Sequence, residues 1–458
     1  MAPAAVGTAQ VIDQLNAFDL AEKTPLHKVT VSADELGEAI ASAAATTETR
    51  LPSARHAHNT RSPFYPDIHV DLVDRFVDEY RPLRVAVVGG GLTGVTAGAL
   101  LPAKVPGIQL TIYEKNRDFG GTWFENVYPG VRCDVPSHVY QSTFAPKHDW
   151  SDRFAYGAEI RDYWQSVARK HNVYQYAKFR HRVRDATWDD GDKVWRLRVQ
   201  DLDKAEDGSA DEGAGLTTET FDVLITAFGK FNAWRLPHYP GMAEYRGVLR
   251  HASDWDPTFD PRGKRIAVIG NGASGIQLMP NLQKVVARLD HYVRNPTWIA
   301  PNWAGEERAT GAQPYPEELK RSLADPKTYL DFRKRAEDRH WRVFKNFLGE
   351  SEANHELRDA IVEVMRKRLA KKPELFDKLV PDFPPSCRRL TPGPGYLEAL
   401  TEDNVDYITT RIRRFTATGI ETEDGVHREV DAVICATGAN RRVVRHRSPR
   451  PLAARRSG

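Results

Sequence analysis

The sequence predicts an α/β fold with two Rossmann-like dinucleotide-binding domains, the first interrupted by the second, together with antiparallel meanders and a helical insert. Three observations predict it. A buried apolar strand, a glycine turn and a small-residue helix occur twice, in "LRVAVVGGGLTGVTAGALL" and "KRIAVIGNGASGIQLMPNL". Two near copies, "FDVLITAFG" and "VDAVICATG", each read as an apolar strand closing on a small residue and a glycine. An alternating segment precedes each copy, "VWRLRVQDL" and "YITTRIRRFTATGI", with the period of a meander.

Composition bounds the class. A chain of 458 residues exceeds one ordinary core and fits two or three domains. Its content, 41% hydrophobic and 28% charged, is that of a globular enzyme. Seven arginines in the closing "RRVVRHRSPRPLAARRSG" account for the net charge of +3. The rest is mildly acidic, which argues against a nucleic-acid surface. No run approaches the roughly 20 apolar residues of a membrane span. The N-terminus lacks the basic start and apolar run of a secretory signal, so the cytoplasm is the expected location. Cys133, Cys387 and Cys435 stand singly, giving neither a disulfide framework nor a metal-ligand spacing.

Residues 1–82 read as an N-terminal extension. It holds an Ala-rich helical patch near Ala33–Ala45 and an amphipathic helix carrying Val73, Phe76, Val77 and Tyr80. Residues 83–230 read as the first part of the first dinucleotide domain. Gly89, Gly91 and Gly94 fit GxGxxG directly after a strand, where the turn tightens, backbone nears a pyrophosphate and helix packs on strand. The helix N-terminus then offers N–H groups and a positive dipole end to phosphates. Glu114 closes the second strand, where a carboxylate would accept ribose hydroxyls.

Residues 231–385 read as the second domain, with a charged helical insert over about 315–378. Its turn carries Gly270, Gly272, Ser274 and Gly275, but its second strand closes on Arg294, followed by Asn295. An arginine there pairs with a 2′-phosphate, so NADPH is expected over NADH. Residues 386–440 read as a return to the first domain, and 441–458 as a basic tail. Two dinucleotide folds in one chain suggest a flavoenzyme passing hydride from nicotinamide to FAD. Disulfide reductases need a redox cysteine pair, absent here; N- or S-oxidising and Baeyer–Villiger flavin monooxygenases stay open.

"YRGVLRHASDWD" decides between them by resemblance. It is similar to the Baeyer–Villiger monooxygenase fingerprint FxGxxxHxxxW[PD] at Gly247, His251, Trp255 and Asp256, with Tyr245 in place of Phe. "GGTWFENVYPGVRCD" matches the family's pattern [AG]GxWxxxx[FY]P[GM]xxxD at Gly121, Trp123, Tyr128, Pro129, Gly130 and Asp134. The resemblance runs from about Leu83 to Gly438, and its wording is most like fungal or actinobacterial members of secondary metabolism. It implies an enzyme using FAD, NADPH and O2 to convert a small-molecule ketone to an ester or lactone.

The resemblance also implies roles. In "PSCRRLTPGPGYLEAL", Arg389 is the active-site arginine and Arg388 lies beside the NADP 2′-phosphate with Arg294. Asp134 is the carboxylate that holds Arg389. FAD would meet Gly89, Gly91, Gly94, Glu114, Gly121, Thr122, Trp123, Asp134 and Tyr140. NADP would meet Gly270, Gly272, Ser274, Gly275, Arg294, Asn295 and Arg388. Trp123, Tyr128 and Tyr140 are expected to pack around flavin, and His251 to couple conformations rather than react. An arginine suits the site because it stabilises an anionic oxidant and the oxyanion of its adduct.

The family continues past the second ATG-type strand, whereas here the Arg/Pro/Ser-rich tail follows at once. The tail is expected to be non-native, with a natural basic tail as the competing reading, and the alternative to an active enzyme is an inactive, truncated flavoprotein.

Overall fold

The computed structural model describes residues 81–205, 214–300, 313–349 and 351–439. The expected helices of the N-terminal extension and the basic tail lie outside them.

The first unit is built on β1 (Leu83–Val88), α1 (Leu92–Lys104) and β2 (Ile108–Tyr113). The helix α2 (Gly157–Lys170) buries Ile160, Tyr163, Trp164 and Val167 at the three- and four-residue spacing of one face. The strand β3 (Ala177–Lys178) is followed by the antiparallel sheet of β4 (His181–Asp189), β5 (Val194–Asp201) and β6 (Leu216–Phe221). Then β7 (Val223–Thr226) returns beside β1, giving the parallel order β3-β2-β1-β7.

The second unit opens with β8 (Val248–His251), then β9 (Arg265–Ile269), α3 (Ala273–Gln283) and β10 (Arg288–Tyr292). The expected insert contains α4 (Pro326–Arg342) and α5 (Glu352–Arg368). After α6 (Tyr396–Leu400) come β11 (Val405–Ile408) and a second antiparallel sheet, β12 (Ile412–Phe415), β13 (Gly419–Thr422) and β14 (His427–Glu429). The last described strand is β15 (Ala432–Cys435). The parallel order is β11-β10-β9-β15-β8.

That order corrects the boundaries read from sequence. Residues 386–440 were expected to return to the first domain, but β11 pairs with β10, and β15 pairs with β9 and β8. Their strands complete the second sheet. The reason lies in the near copies: each closes its own unit, so the second copy cannot also close the first.

The correspondence reaches single atoms. The Asp222 carboxylate accepts the Arg84 N–H at 2.8 Å at the start of β1, and Asp431 accepts the Arg265 N–H at 2.7 Å at the start of β9. At the other end a Cβ on Gly89 would lie 2.6 Å from the Ala227 carbonyl oxygen, and one on Gly270 2.6 Å from that of Ala436. Both glycines have positive φ, +114° and +105°. Glycine and a small closing residue are therefore demanded together. Each unit has its own core, one including Val87, Ile112, Trp150 and Trp164, the other Ile266, Leu278, Trp298 and Ile434.

Candidate active site between the two glycine turns

Around the first turn, Gly89 N–H donates to the Tyr113 carbonyl at 2.8 Å and fixes the exit from β1. Gly91 is the N-cap of α1 and no side chain caps it; no acid occupies the first turn. Gly94 is buried in α1, so close that a Cβ would lie 2.0 Å from the Gly89 carbonyl oxygen. A second glycine loop closes over this turn, with Gly120 N–H donating to the Gly90 carbonyl at 3.0 Å. Gly121 has φ +53° and its backbone abuts Gly91. Thr122 starts the next short helix, and its exposed hydroxyl accepts from the Asn126 amide at 3.0 Å.

Glu114 is only 4% exposed, and burial holds its carboxyl above the usual carboxylate range. Its two oxygens accept the N–H groups of Gly90 at 2.6 Å and Asn116 at 2.8 Å. The carboxylate expected to meet ribose thus pins the glycine turn here.

The second turn has the same frame and a different face. Gly270 N–H donates to the Tyr292 carbonyl at 2.9 Å, and a Cβ on Gly275 would lie 2.0 Å from the Gly270 carbonyl oxygen. Gly272 caps α3 with no side-chain cap, and a Cβ there would meet nothing within 4 Å. That open space before an uncapped helix N-terminus fits a phosphate-bearing group. Asn271 Nδ2 donates to the Asn295 carbonyl at 2.9 Å, which ties the turn to the segment after β10. Arg294 is exposed, two residues beyond the end of β10. Arg388 is exposed and holds its guanidinium over the Phe383 ring at 4.8 Å.

The stretch Tyr128–Asp134 crosses from one unit to the other. Tyr128 was expected to pack around flavin, but it joins the core of the second unit. Its ring is fixed by its hydroxyl, which donates to Gln277 Oε1 on α3 at 3.0 Å, with Ser274 beside it. Gln277 also donates from Nε2 to the Arg132 carbonyl at 2.9 Å. Gly130, at φ +85°, lies against α3: a Cβ there would sit 2.7 Å from the Gln277 carbonyl oxygen. The Tyr-Pro-Gly pattern is thus a seam between units. Gln277 was missed from sequence, although a polar residue inside "SGIQLMP" is the signal that marks it.

The seam delivers Asp134 to Arg389, 255 positions away in the chain. Arg389 Nε donates to Asp134 Oδ2 at 2.5 Å, and Nη2 donates to Oδ1 in parallel. This fork is the geometry in which a carboxylate orients a guanidinium plane. The carboxylate's hydrogen bonds raise the arginine's pKa above its ordinary value. The Arg389 side chain is 57% exposed and that of Asp134 only 15%, so the pair presents its cation outward from a held base. Burial pushes the neighbouring Cys133 thiol and Tyr140 phenol each up to about 12, so both stay neutral near pH 7. Trp123 donates its indole N–H to the Tyr140 hydroxyl at 3.2 Å, and the rings meet edge to face at 5.7 Å. Asp134 also lines a small cavity of about 20 Å³ with Cys133, Thr391 and Gly393.

The fingerprint residues lie at the edge of the second sheet. Gly247 precedes β8, where a Cβ would collide with the Tyr245 hydroxyl at 2.2 Å. That hydroxyl, absent from the usual Phe, donates to the Val430 carbonyl at 2.9 Å. His251 is buried, accepts the Ser253 N–H at Nδ1 at 3.1 Å and stacks on Trp234 at 5.4 Å. Burial lowers its pKa, so the ring is neutral at pH 7. Trp255 meets Phe259 edge to face at 5.8 Å, and Asp256 caps the Thr258 N–H at 2.9 Å. The contacts of these residues lie within the second unit and its entry strand.

Known proteins fit this arrangement. The NAD(P)-binding Rossmann-like domain matches residues 87–156. The FAD-binding monooxygenase tazF of Aspergillus terreus is 38% identical over 79% of this chain. Over that region the chain is similar to FAD-binding monooxygenases. It spans 63% of the length of that relative. Among solved structures, the OTEMO complex with FAD and NADP matches with a TM-score of 0.66 and 27% identity, covering 78% of this chain and 71% of that one. The open crystal structure of cyclohexanone monooxygenase shares the fold, with a TM-score of 0.65 at 24% identity, over 78% of this chain and 74% of that one. Both are Baeyer–Villiger monooxygenases. Among the described residues no helix is long and apolar enough to cross a membrane, and no cluster of metal-ligating side chains occurs.

Proposed function

We propose that this chain carries the cofactor-binding and oxidising machinery of an FAD- and NADPH-dependent Baeyer–Villiger monooxygenase, which inserts one oxygen of O2 beside a ketone carbonyl to give an ester or lactone. The observation that carries the reading is the Arg389–Asp134 fork, set by a seam between two dinucleotide units. FAD fits the closed first turn, with Gly89, Gly91 and Gly94 against the pyrophosphate and Gly121, Thr122, Trp123 and Tyr140 alongside. NADPH fits the open second turn at Gly270, Gly272, Ser274 and Gly275, with Arg294, Asn295 and Arg388 toward its adenosine phosphate. Bound FAD, once reduced by NADPH, supplies the activation of O2.

The chain's own residues do the rest. Arg389 offers a planar, always charged donor set where negative charge develops on oxygen, and lowers the cost of that charge. Asp134 holds the plane of the guanidinium and leaves its outer edge for substrate. Cys133, buried, and Tyr140, half-buried, are both neutral and add no competing charge. Asp134, at 15% exposure, is the more shielded partner of the pair, so its hold on the guanidinium is less screened by water. Kinship to Aspergillus proteins supports a place in secondary metabolism. The test is turnover with 18O2 and a panel of ketones. The expected result is ketone-dependent NADPH consumption and one labelled oxygen in an ester; oxidation of amines or sulfides alone overturns the reading.

A further inference from the structure

A second cavity, of about 260 Å³, lies on the other side of the seam, between the Gly130–Arg132 loop, the C-terminal half of α3 and α6. Arg132 and Gln277 line both this cavity and the small one beside Asp134. The volume exceeds the roughly 150 Å³ that suffices for benzene.

Its charges are unbalanced. Two acids line it, Glu398 and Glu402, and each is matched by a cation of the insert. Arg368 donates to Glu398 from Nε at 2.7 Å and from Nη2 at 2.8 Å, and Lys371 Nζ lies 3.3 Å from Glu402. The two lining cations are matched less closely. The Lys284 side chain forms no hydrogen bond or ion pair among the described residues, while its backbone N–H caps α3 on the Leu282 carbonyl. Arg132 has a side chain only 8% exposed, yet its Nε and Nη2 find no hydrogen-bond acceptor among the described residues, and its ion pair with Asp152 is a long one. Asp152 is the nearest acid at 3.7 Å, but its oxygens already accept the N–H groups of Phe154 and Gln313, each at 2.9 Å. Stacking over Tyr156, at 4.2 Å, shields the guanidinium without giving those donors an acceptor. A buried donor left unmade is costly, and more so when charged.

We propose that this cavity binds a small oxyanion, a carboxylate or a phosphate group, with Arg132 as its floor and Lys284 as its second cation. Arg132 precedes Asp134 by two residues, and its backbone carbonyl is held by Gln277. A ligand here therefore abuts the seam, and shares Arg132 and Gln277 with the small cavity beside Asp134.

The test is titration calorimetry on the whole chain with sodium acetate and, separately, sodium phosphate, against sodium chloride at matched ionic strength. Saturable heat with acetate, phosphate or both is expected; the acetate and phosphate arms tell the two anion sources apart. Arg132→Gln should weaken binding about tenfold or more, and the surface variant Lys284→Ala several-fold, as charged hydrogen bonds and ion pairs are lost. Lys284→Ala keeps the test decisive if Arg132→Gln does not fold. No saturable heat in the native chain, or binding that Lys284→Ala leaves unchanged, overturns the proposal. No turnover is measured, so the result is independent of the reaction proposed above.

Discussion

The two dinucleotide units share the order of four strands and differ in what surrounds their turns. In the first, a second glycine loop lies over the turn and Glu114 pins it from beneath. In the second, Gly272 faces open space and the Asn271 amide ties the turn to the segment after β10. An enclosed turn suits a cofactor that stays, and an open one suits a cofactor that comes and goes. Strand neighbours differ too. β15 is paired on both sides, by β9 and β8, whereas β7 pairs with β1 alone in its parallel sheet. One frame, used twice, is thus specialised by its surroundings rather than by its strands.

Matched substitutions break this comparison most severely. Gly94→Ala and Gly275→Ala each place a methyl group against the carbonyl of the first turn glycine, at 2.0 Å in both units. Gly94→Ala should abolish retention of FAD, read as flavin absorbance of the purified protein. Gly275→Ala should leave flavin in place and weaken NADPH binding about a hundredfold, as the phosphates lose their seat. Loss of flavin from both variants would show that the two turns are not separable.

Next in size is Arg389→Ala. Reduction of flavin by NADPH should continue while ester formation falls about 100- to 1000-fold, the effect of removing an oxyanion donor. Hydrogen peroxide should accumulate instead. Normal ester yield would remove Arg389 from the chemistry.

The seam gives a smaller, sharper effect. Gln277→Leu keeps the volume of the side chain but removes its bonds to Tyr128 and Arg132. Flavin content should not change, whereas the fraction of NADPH converted to ester should drop about tenfold as Asp134 loses its fixed position. Equal losses in flavin content and ester yield would mean that Gln277 only supports folding.

Smallest is Arg294→Ala, which should raise the NADPH KM about tenfold and leave that for NADH alone, because an exposed arginine loses one charge-assisted contact. Unchanged preference between the two nucleotides would place 2′-phosphate recognition elsewhere, with Arg388 the first alternative.

Local rules made much of this legible. The glycine turns, the strands before them and the helices after them follow from spacing that any chain must obey to bring strand, turn and helix together. The insert's helices follow from apolar residues at three and four. The Arg389–Asp134 pair was reached through resemblance alone, since 255 positions separate its members and no local signal joins them. What the tertiary structure decided was assignment between units. Sequence repeats showed two equivalent strands, "FDVLITAFG" and "VDAVICATG", but hydrogen bonding alone put the second beside β9. Tyr128 looks like a flavin neighbour by its position in a motif, yet its ring crosses to the other core because Gln277 offers an acceptor there. Arg132 is one arginine among many in the sequence, and only packing buries its Nε and Nη2 with no hydrogen-bond acceptor among the described residues. Backbone patterns are written in neighbouring residues; which surfaces meet depends on contacts between residues far apart, and those the chain acquires only by folding.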